Sequence, residues 1–470
     1  MTKNYDIIII GNGAAAFAAA IKASELSEND ASILMIGYGP MGGTCVNVGC
    51  IPSKYLLEVS NTIFYSKQKR FEGIEIGEIK PDFRNIMEGL RNTVKELRKN
   101  KYEEVLKAYP NIEYLEGKVR FFSTNEIGVD GKVFKAKNIL IAVGSRPSIP
   151  NIEGLNEIGY LTSNTIWDID SLPGKIAIIG AGAIGLEIGQ AFLHLGSQVV
   201  IIEALNRIAP QSEYELSQYL QNNLEEEGMQ FVLKARINKV KKAAGKKILE
   251  IVTARGKEEL EVDEILVATG RKPNTDQLML EKANVETTSN GFIVTNKRMQ
   301  TSNPRIYAAG DCVSKRLMLE TLAAREGTVA VSNILGLEEE MDYLHVPSVI
   351  FTYPQLASVG YLESEYVNEY GKCSCNLIKL EHIPKAHLMK EKRGLIKIVI
   401  EPTNGKIVGI HALAPYASEF IIEATLAIRF GLTIKDLIDT VHAFPTLSEG
   451  IKIAAQSFVR NVERMSCCVE

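Results

Sequence analysis

The sequence predicts an α/β fold with two dinucleotide-binding domains and a third, C-terminal α+β domain. Three observations predict it. A glycine-rich strand-turn-helix pattern occurs twice, an apolar strand later runs into Gly310-Asp311, and after Pro347 the pattern changes to alternating strands without another glycine-rich loop. With 470 residues, the chain is long enough for roughly three domains.

The first element is the β-branched run Ile7 to Ile10, read as a strand, which Gly11 and Gly13 break before a helix of small apolar residues. Gly11, Gly13 and Ala16 form G-x-G-x-x-A, and the helix reads as packed close against a sheet. Lys3 followed by IIIIGNGAAAFAAAI looks superficially like a signal peptide. Asn12 and the glycines keep the apolar run below the ~18 residues of a membrane span, so no membrane association is expected. The second copy places Gly180, Gly182 and Gly185 in G-x-G-x-x-G, after a strand at Lys175 to Ile179 and before an apolar helix. In both copies the glycines permit a tight turn and close backbone approach to a pyrophosphate, and the helix N-terminus favours the anion. These are Rossmann-like units. IAVGSRP, with Gly144, and LVATGRKP, with Gly270, close them, and Gly310-Asp311 in IYAAGDC brings a carboxylate toward a polyol or phosphate chain.

At the end of the second strand of the second unit stands Glu203, placed to accept hydrogen bonds from an adenosine ribose and to repel a 2′-phosphate, which favours NADH over NADPH. Gly37 occupies the corresponding position in the first unit, so the ribose contact there is absent or made differently.

Between the units' motifs lies GGTCVNVGCIPSK, with Gly43 and Thr44 ahead of Cys45 and with Cys50 five residues on. A helix N-terminus and Lys54 are expected to lower the pKa of these thiols and allow dithiol-disulfide cycling. Seven cysteines, an odd and unevenly placed number, indicate reactive thiols in a reducing compartment and hence a cytoplasmic protein. A net charge of −4 excludes a basic nucleic-acid-binding face, and 46% hydrophobic with 23% charged residues describes a soluble globular protein.

GGTCVNVGCIPSK, the two fingerprints, ATGRKPNT and YAAGDC resemble the flavin-dependent disulfide reductases that include glutathione reductase and dihydrolipoamide dehydrogenase. The resemblance covers essentially the whole chain. It implies FAD on a discontinuous first domain (1–145 and 265–345), NADH or NADPH on a second (146–264), and a C-terminal α+β dimerisation domain (346–470) that makes a homodimer. It implies further that Cys50 faces the flavin, that Cys45 is the outer exchanging thiol, and that Lys54 lies near flavin N5 paired with Glu187.

Members that reduce dithiols resemble one another in a His-Pro-Thr-x-x-Glu stretch whose His acts as base. Here HAFPTLSE places Phe444 at the base position, keeps Glu449, and puts His442 two residues away, where it reads as a structural residue. The chain ends in RMSCCVE, whose adjacent Cys467 and Cys468 suit a soft metal ion. With the redox motif and the missing His, this tail resembles the mercuric reductases, in which tail thiols of one subunit pass Hg(II) to the redox pair of the other. The implied metal ligands are Cys45, Cys50, Cys467 and Cys468, with Tyr102 near the bound mercury, in an active site shared between subunits. The chain departs from that family at Phe444, usually a tyrosine, and at Glu203, because the family commonly prefers NADPH. The expected reaction reduces Hg(II), presented as a thiol complex, to Hg(0) with NADH or NADPH. The alternatives are a dihydrolipoamide dehydrogenase-like disulfide reductase using His442 and a flavoprotein that sequesters soft metals. Cys373 and Cys375 form C-S-C, a spacing open to metal binding, but with no His or Asp cluster nearby they read as part of a solvent-facing strand.

Overall fold

The structure is a computed structural model that describes residues 3–314 and 317–466. The isoleucine run forms the end of strand Lys3–Ile10, which pairs in parallel with Ile33–Gly37 on one side and Lys132–Ile141 on the other. Ile7 to Ile10 are all buried, as a strand covered on both faces requires. The seven-stranded sheet continues with Ile112–Glu116 beyond Ile33–Gly37, and with Glu126–Val129 and Val119–Phe121 beyond Lys132–Ile141. Ile306–Ala308 also pairs in parallel with Lys132–Ile141, so the chain leaves this sheet and returns to it.

Helix Ala14–Leu26 follows the first strand. Its small residues bring it close not only to the sheet but above all to a second helix, Glu320–Ile334. A Cβ on Gly327 would lie 2.2 Å from the Ala15 carbonyl oxygen, so glycine sets the separation of the two helices. That packing places the N-terminus of Glu320–Ile334 beside the glycine-rich loop.

The second sheet has five parallel strands in the order Gln230–Val232, Gln198–Ile202, Lys175–Ile179, Glu264–Val267 and Leu161–Thr162. A three-stranded antiparallel meander, Arg236–Ala243, Lys246–Thr253 and Gly256–Val262, is inserted before Glu264–Val267. The expected boundary at 264 and 265 thus falls inside a strand of this sheet. The chain crosses between the two units at Ser145–Pro147 and Arg271–Pro273, which pair with each other.

Five antiparallel strands form the third sheet, ordered Ser348–Ile350, Gln355–Gly360, Ile407–Ala414, Leu395–Ile400 and Ser374–Lys379. Helices Ala417–Arg429 and Glu449–Gln456 share its apolar core. Among the described residues, no helix is long and apolar enough to cross a membrane.

Candidate active site

The thiol motif folds as two helices separated by a glycine. Gly42 and Gly43 both have positive φ, and helix Gly43–Val48 carries Cys45. A Cβ on Gly43 would lie 2.6 Å from the Gly13 Cα, so the thiol loop and the first fingerprint meet backbone to backbone. Gly49 then turns the chain into helix Cys50–Lys67, whose first residue is Cys50. The unpaired N–H groups of that first turn favour a thiolate there.

The two thiols have opposite acidities. Cys50 is lowered, first by the hydrogen bond from Cys45 and then by the charge of Lys54. Cys45 is raised, against the expectation for a motif thiol, first by its hydrogen-bonding contact with Cys50, then by partial burial and by the facing Glu320 carboxylate, so it keeps its proton. Cys45 Sγ donates to Glu320 Oε2 at 2.9 Å, and the Tyr102 hydroxyl donates to Glu320 Oε1 at 3.2 Å. Tyr102 lies in a π-helical turn, Lys99–Glu103, and its ring stands edge-on to Phe17 at 5.0 Å. Lys54 Nζ lies 2.7 Å from Glu187 Oε2, and the other oxygen of this buried carboxylate accepts the Phe351 N–H at 2.9 Å.

One cavity is lined by Gly13, Cys45, Cys50, Lys54, Glu187, Asp311 and Glu320, among others. A neighbouring cavity runs along Gly11, Gly13, Gly43, Thr44 and Gly144 to Lys118. Helix Ala14–Leu26 opens onto this space with no side-chain cap at Gly13, leaving its first-turn N–H groups for an anion. Gly11 is required because a Cβ would lie 2.1 Å from the Ala142 carbonyl oxygen. Ala16 is fully buried behind this turn, and the Ser145 hydroxyl and Arg271 hold Asp311 at the cavity wall. These residues fit a flavin dinucleotide. Gly37 has a local reason: a Cβ would lie 2.6 Å from both Asn12 Cβ and the Tyr114 hydroxyl, which leaves no room for an acid.

The second fingerprint repeats the geometry. A Cβ on Gly180 would lie 2.4 Å from the Ala268 oxygen, one on Gly185 would lie 2.1 Å from the Gly180 oxygen, and Gly182 faces open space. Helix Ala183–Leu195 likewise has no side-chain cap. Glu203 follows strand Gln198–Ile202 and accepts the N–H groups of Ala181 and Leu205, each at 2.8 Å, which fixes its carboxylate beside the loop. Gly270, at φ 99°, leads into Arg271–Pro273. These residues fit a pyridine dinucleotide.

In the C-terminal domain, His442 Nε2 lies 2.8 Å from Glu423 Oε1 within the same chain, and that partner raises its pKa. Phe444 is exposed, and one carboxylate oxygen of Glu449 is buried without a hydrogen-bond partner. Cys467 and Cys468 lie outside the described residues. Cys373 and Cys375 are half-buried rather than solvent-facing, because Tyr366 and Val399 pack over them. Cys312 is fully buried and bonded to backbone oxygens.

The model of the pyridine nucleotide-disulphide oxidoreductases matches residues 5–327, and that of their dimerisation domain matches residues 346–455. The chain belongs to this family. Within it, the chain is 38% identical to a mercuric reductase of Lysinibacillus sphaericus, over 99% of this chain and 84% of that protein. It is 37% identical to a mercuric reductase of Streptomyces lividans, over 99% of this chain and 98% of that one. Among solved structures, the HOCl-induced flavoprotein disulfide reductase RclA from Escherichia coli matches with a TM-score of 0.85 and 26% identity, over 97% of this chain and 100% of that one. Its Cu(II) complex matches with a TM-score of 0.86 and 25% identity, over 98% and 100%.

As a pyridine nucleotide-disulphide oxidoreductase, the chain has FAD and NADH or NADPH as cofactors. The fold brings together the sequence-predicted Cys45, Cys50, Lys54, Glu187 and Asp311 around one cavity. Tyr102 reaches that group through Glu320. Sequence reasoning missed Glu320, which lies 275 residues from Cys45. Its only local signal was its place at the start of a small-residue helix. Arg271 was missed as well: it bonds both the hydroxyl and the carbonyl of Ser145, at 2.7 and 2.8 Å.

Proposed function

We propose that the chain is a mercuric reductase, converting Hg(II) held by small thiols to Hg(0) at the expense of NADH or NADPH. One observation carries the reading: in a chain similar over 98–99% of its length to mercuric reductases, two thiols and a Lys-Glu pair open onto one cavity. Gly11, Gly13, Ala16, Gly43, Thr44, Lys54, Gly144, Gly310 and Asp311 would hold FAD, and Gly180, Gly182, Gly185, Glu203 and Gly270 the nicotinamide nucleotide. When bound, FAD supplies two-electron transfer from the nucleotide to the thiol site.

Cys45 and Cys50 take Hg(II) as a near-linear dithiolate, each new S–Hg bond replacing one to a small thiol, which leaves protonated. Two electrons then convert the ion to Hg(0), both S–Hg bonds break, and the pair is left as thiolates. Uncharged mercury has nothing for the sulfurs to hold. The metal needs no thiol protonated at the base position, which agrees with Phe444 there. We assign delivery of Hg(II) to Cys467 and Cys468 of the partner subunit in a cytoplasmic homodimer with a shared site. The dihydrolipoamide dehydrogenase-like reading is disfavoured because Phe444 stands at the base position that its resemblance implies for histidine.

The deciding experiment follows NADH and NADPH oxidation by the purified yellow protein with Hg(II) in excess small thiol, collecting volatile Hg(0) and running lipoamide and Cu(II) alongside. Nucleotide oxidation matched by Hg(0) is expected. Lipoamide turnover without Hg(0) would replace the proposal, and retention of Hg(II) with NADH present would indicate sequestration.

A further inference from the structure

The chain carries a third pair of thiols, Cys373 and Cys375, outside the catalytic cavity, that the proposed function does not use. Cys373 immediately precedes and Cys375 lies within the strand Ser374–Lys379, which among the described residues pairs only with Leu395–Ile400, at the sheet edge. Residues two apart in an extended segment share a face. The two sulfurs accordingly lie 2.7 Å apart, nearer than two metal–sulfur bonds of about 2.3 Å each would hold them, so rotation of the two side chains opens the pair around one ion. Helix Glu363–Tyr370 packs over the same face and supplies Glu363. A carboxylate oxygen of Glu363 and the two sulfurs all lie within 4.8 Å of one another.

The surrounding charge suits a cation. Lys397 Nζ lies 2.6 Å from Glu363, 3.0 Å from Glu213 and 2.9 Å from Glu215, so three carboxylates surround a single ammonium. Two of those negative charges remain uncompensated by it. Tyr366 and Val399 shield one side of the thiols, while both cysteines keep partial access to solvent.

We propose that Cys373, Cys375 and Glu363 form a further binding site for a soft, thiophilic cation, the thiols as primary ligands and the carboxylate as a weaker third. Thiolate pairs select Hg(II) and Cu(I) over hard ions, and a half-covered pair resists exchange with small monothiols. Binding involves no redox step. The two S–H bonds give up their protons, two metal-sulfur bonds form, and the two small thiols that carried the ion leave protonated. The site is separate from Cys45 and Cys50, so the inference stands or falls independently of mercury reduction.

The test counts metal. Full-length, flavin-loaded protein without nucleotide is dialysed against Hg(II) in millimolar glutathione, and bound mercury per subunit is measured for wild type, C373S/C375S and E363Q. The expected results are one Hg(II) fewer per subunit in C373S/C375S, with Hg-dependent NADPH oxidation unchanged, and an intermediate loss in E363Q. Unchanged flavin content in E363Q shows that the fold is intact should the double variant lose its flavin. Parallel dialysis against Cu(I) and Zn(II) is expected to show Cu(I) retained and Zn(II) lost to glutathione. Equal mercury in wild type and C373S/C375S would overturn the proposal. So would a thiol count showing these two cysteines joined as a disulfide in the protein as purified.

Discussion

At the scale of single residues, the candidate site is governed by which groups can share a proton or a charge. Glu320 is the clearest instance, since one carboxylate accepts both the Cys45 thiol and the Tyr102 hydroxyl. It therefore fixes the direction of the Cys45 thiol. Hydrogen bonds to charged groups contribute about 1.5–3 kcal/mol, and about 1.4 kcal/mol is tenfold in rate. Glu320→Ala is accordingly expected to lower kcat/KM for thiol-bound Hg(II) by roughly tenfold or more. Wild-type kcat/KM in steady-state assays would remove Glu320 from the site. His442 shows a different use of a charged partner. Glu423 raises its folded pKa above 6.5, so the pair stabilises the fold fully below the unfolded pKa and loses that contribution as pH rises through the folded value. His442→Gln should therefore depress Tm more at pH 6 than at pH 9. An equal depression at both would mean that the ion pair contributes nothing.

At the scale of elements, two glycine contacts decide where the chemistry sits. Gly43 against Gly13 joins the thiol helix to the first fingerprint, and Gly327 against Ala15 joins helix Glu320–Ile334 to the helix behind that fingerprint. A side chain at 327 meets backbone, which cannot swing aside, so the helices must separate. Overpacking of this kind costs about 1–3 kcal/mol. Gly327→Leu is expected to lower Tm by several degrees and to weaken flavin retention, because it also displaces Glu320. Thermal scans and the flavin absorbance after gel filtration check this, and an unshifted Tm with full flavin would contradict it. The glycine spacing made these elements legible in the sequence. The partner of the alanine-rich face was not, because small residues signal close packing without naming what approaches.

At the scale of the whole molecule, the C-terminal domain leaves apolar side chains uncovered. Ile422, Leu426 and Phe430 recur every four residues along and just beyond helix Ala417–Arg429, and Val441 and Phe444 are exposed as well. Such a stripe is what a helix presents to a partner, and the segment matches a dimerisation domain. Leu426→Glu with Phe430→Glu is expected to convert a dimer to monomer in sedimentation and to abolish turnover with thiol-bound Hg(II). Persistence of a dimer would place the interface elsewhere. The boundary near 264 belongs to this scale too: a sheet contact, not composition, puts Glu264–Val267 in the second unit.

The sequence by itself determined both nucleotide turns and the thiol motif, and by resemblance it gave the Lys54-Glu187 pairing and Phe444 where a base histidine is expected. Each rests on local spacing, where a glycine or a cysteine at a fixed offset dictates backbone geometry within a few residues. Only the tertiary structure decided that Glu320 faces Cys45, that Asn12 and Tyr114 crowd Gly37, and that Glu363 faces Cys373 and Cys375. These contacts join separate elements, and their geometry is set by how helices and sheets pack, which no local pattern encodes.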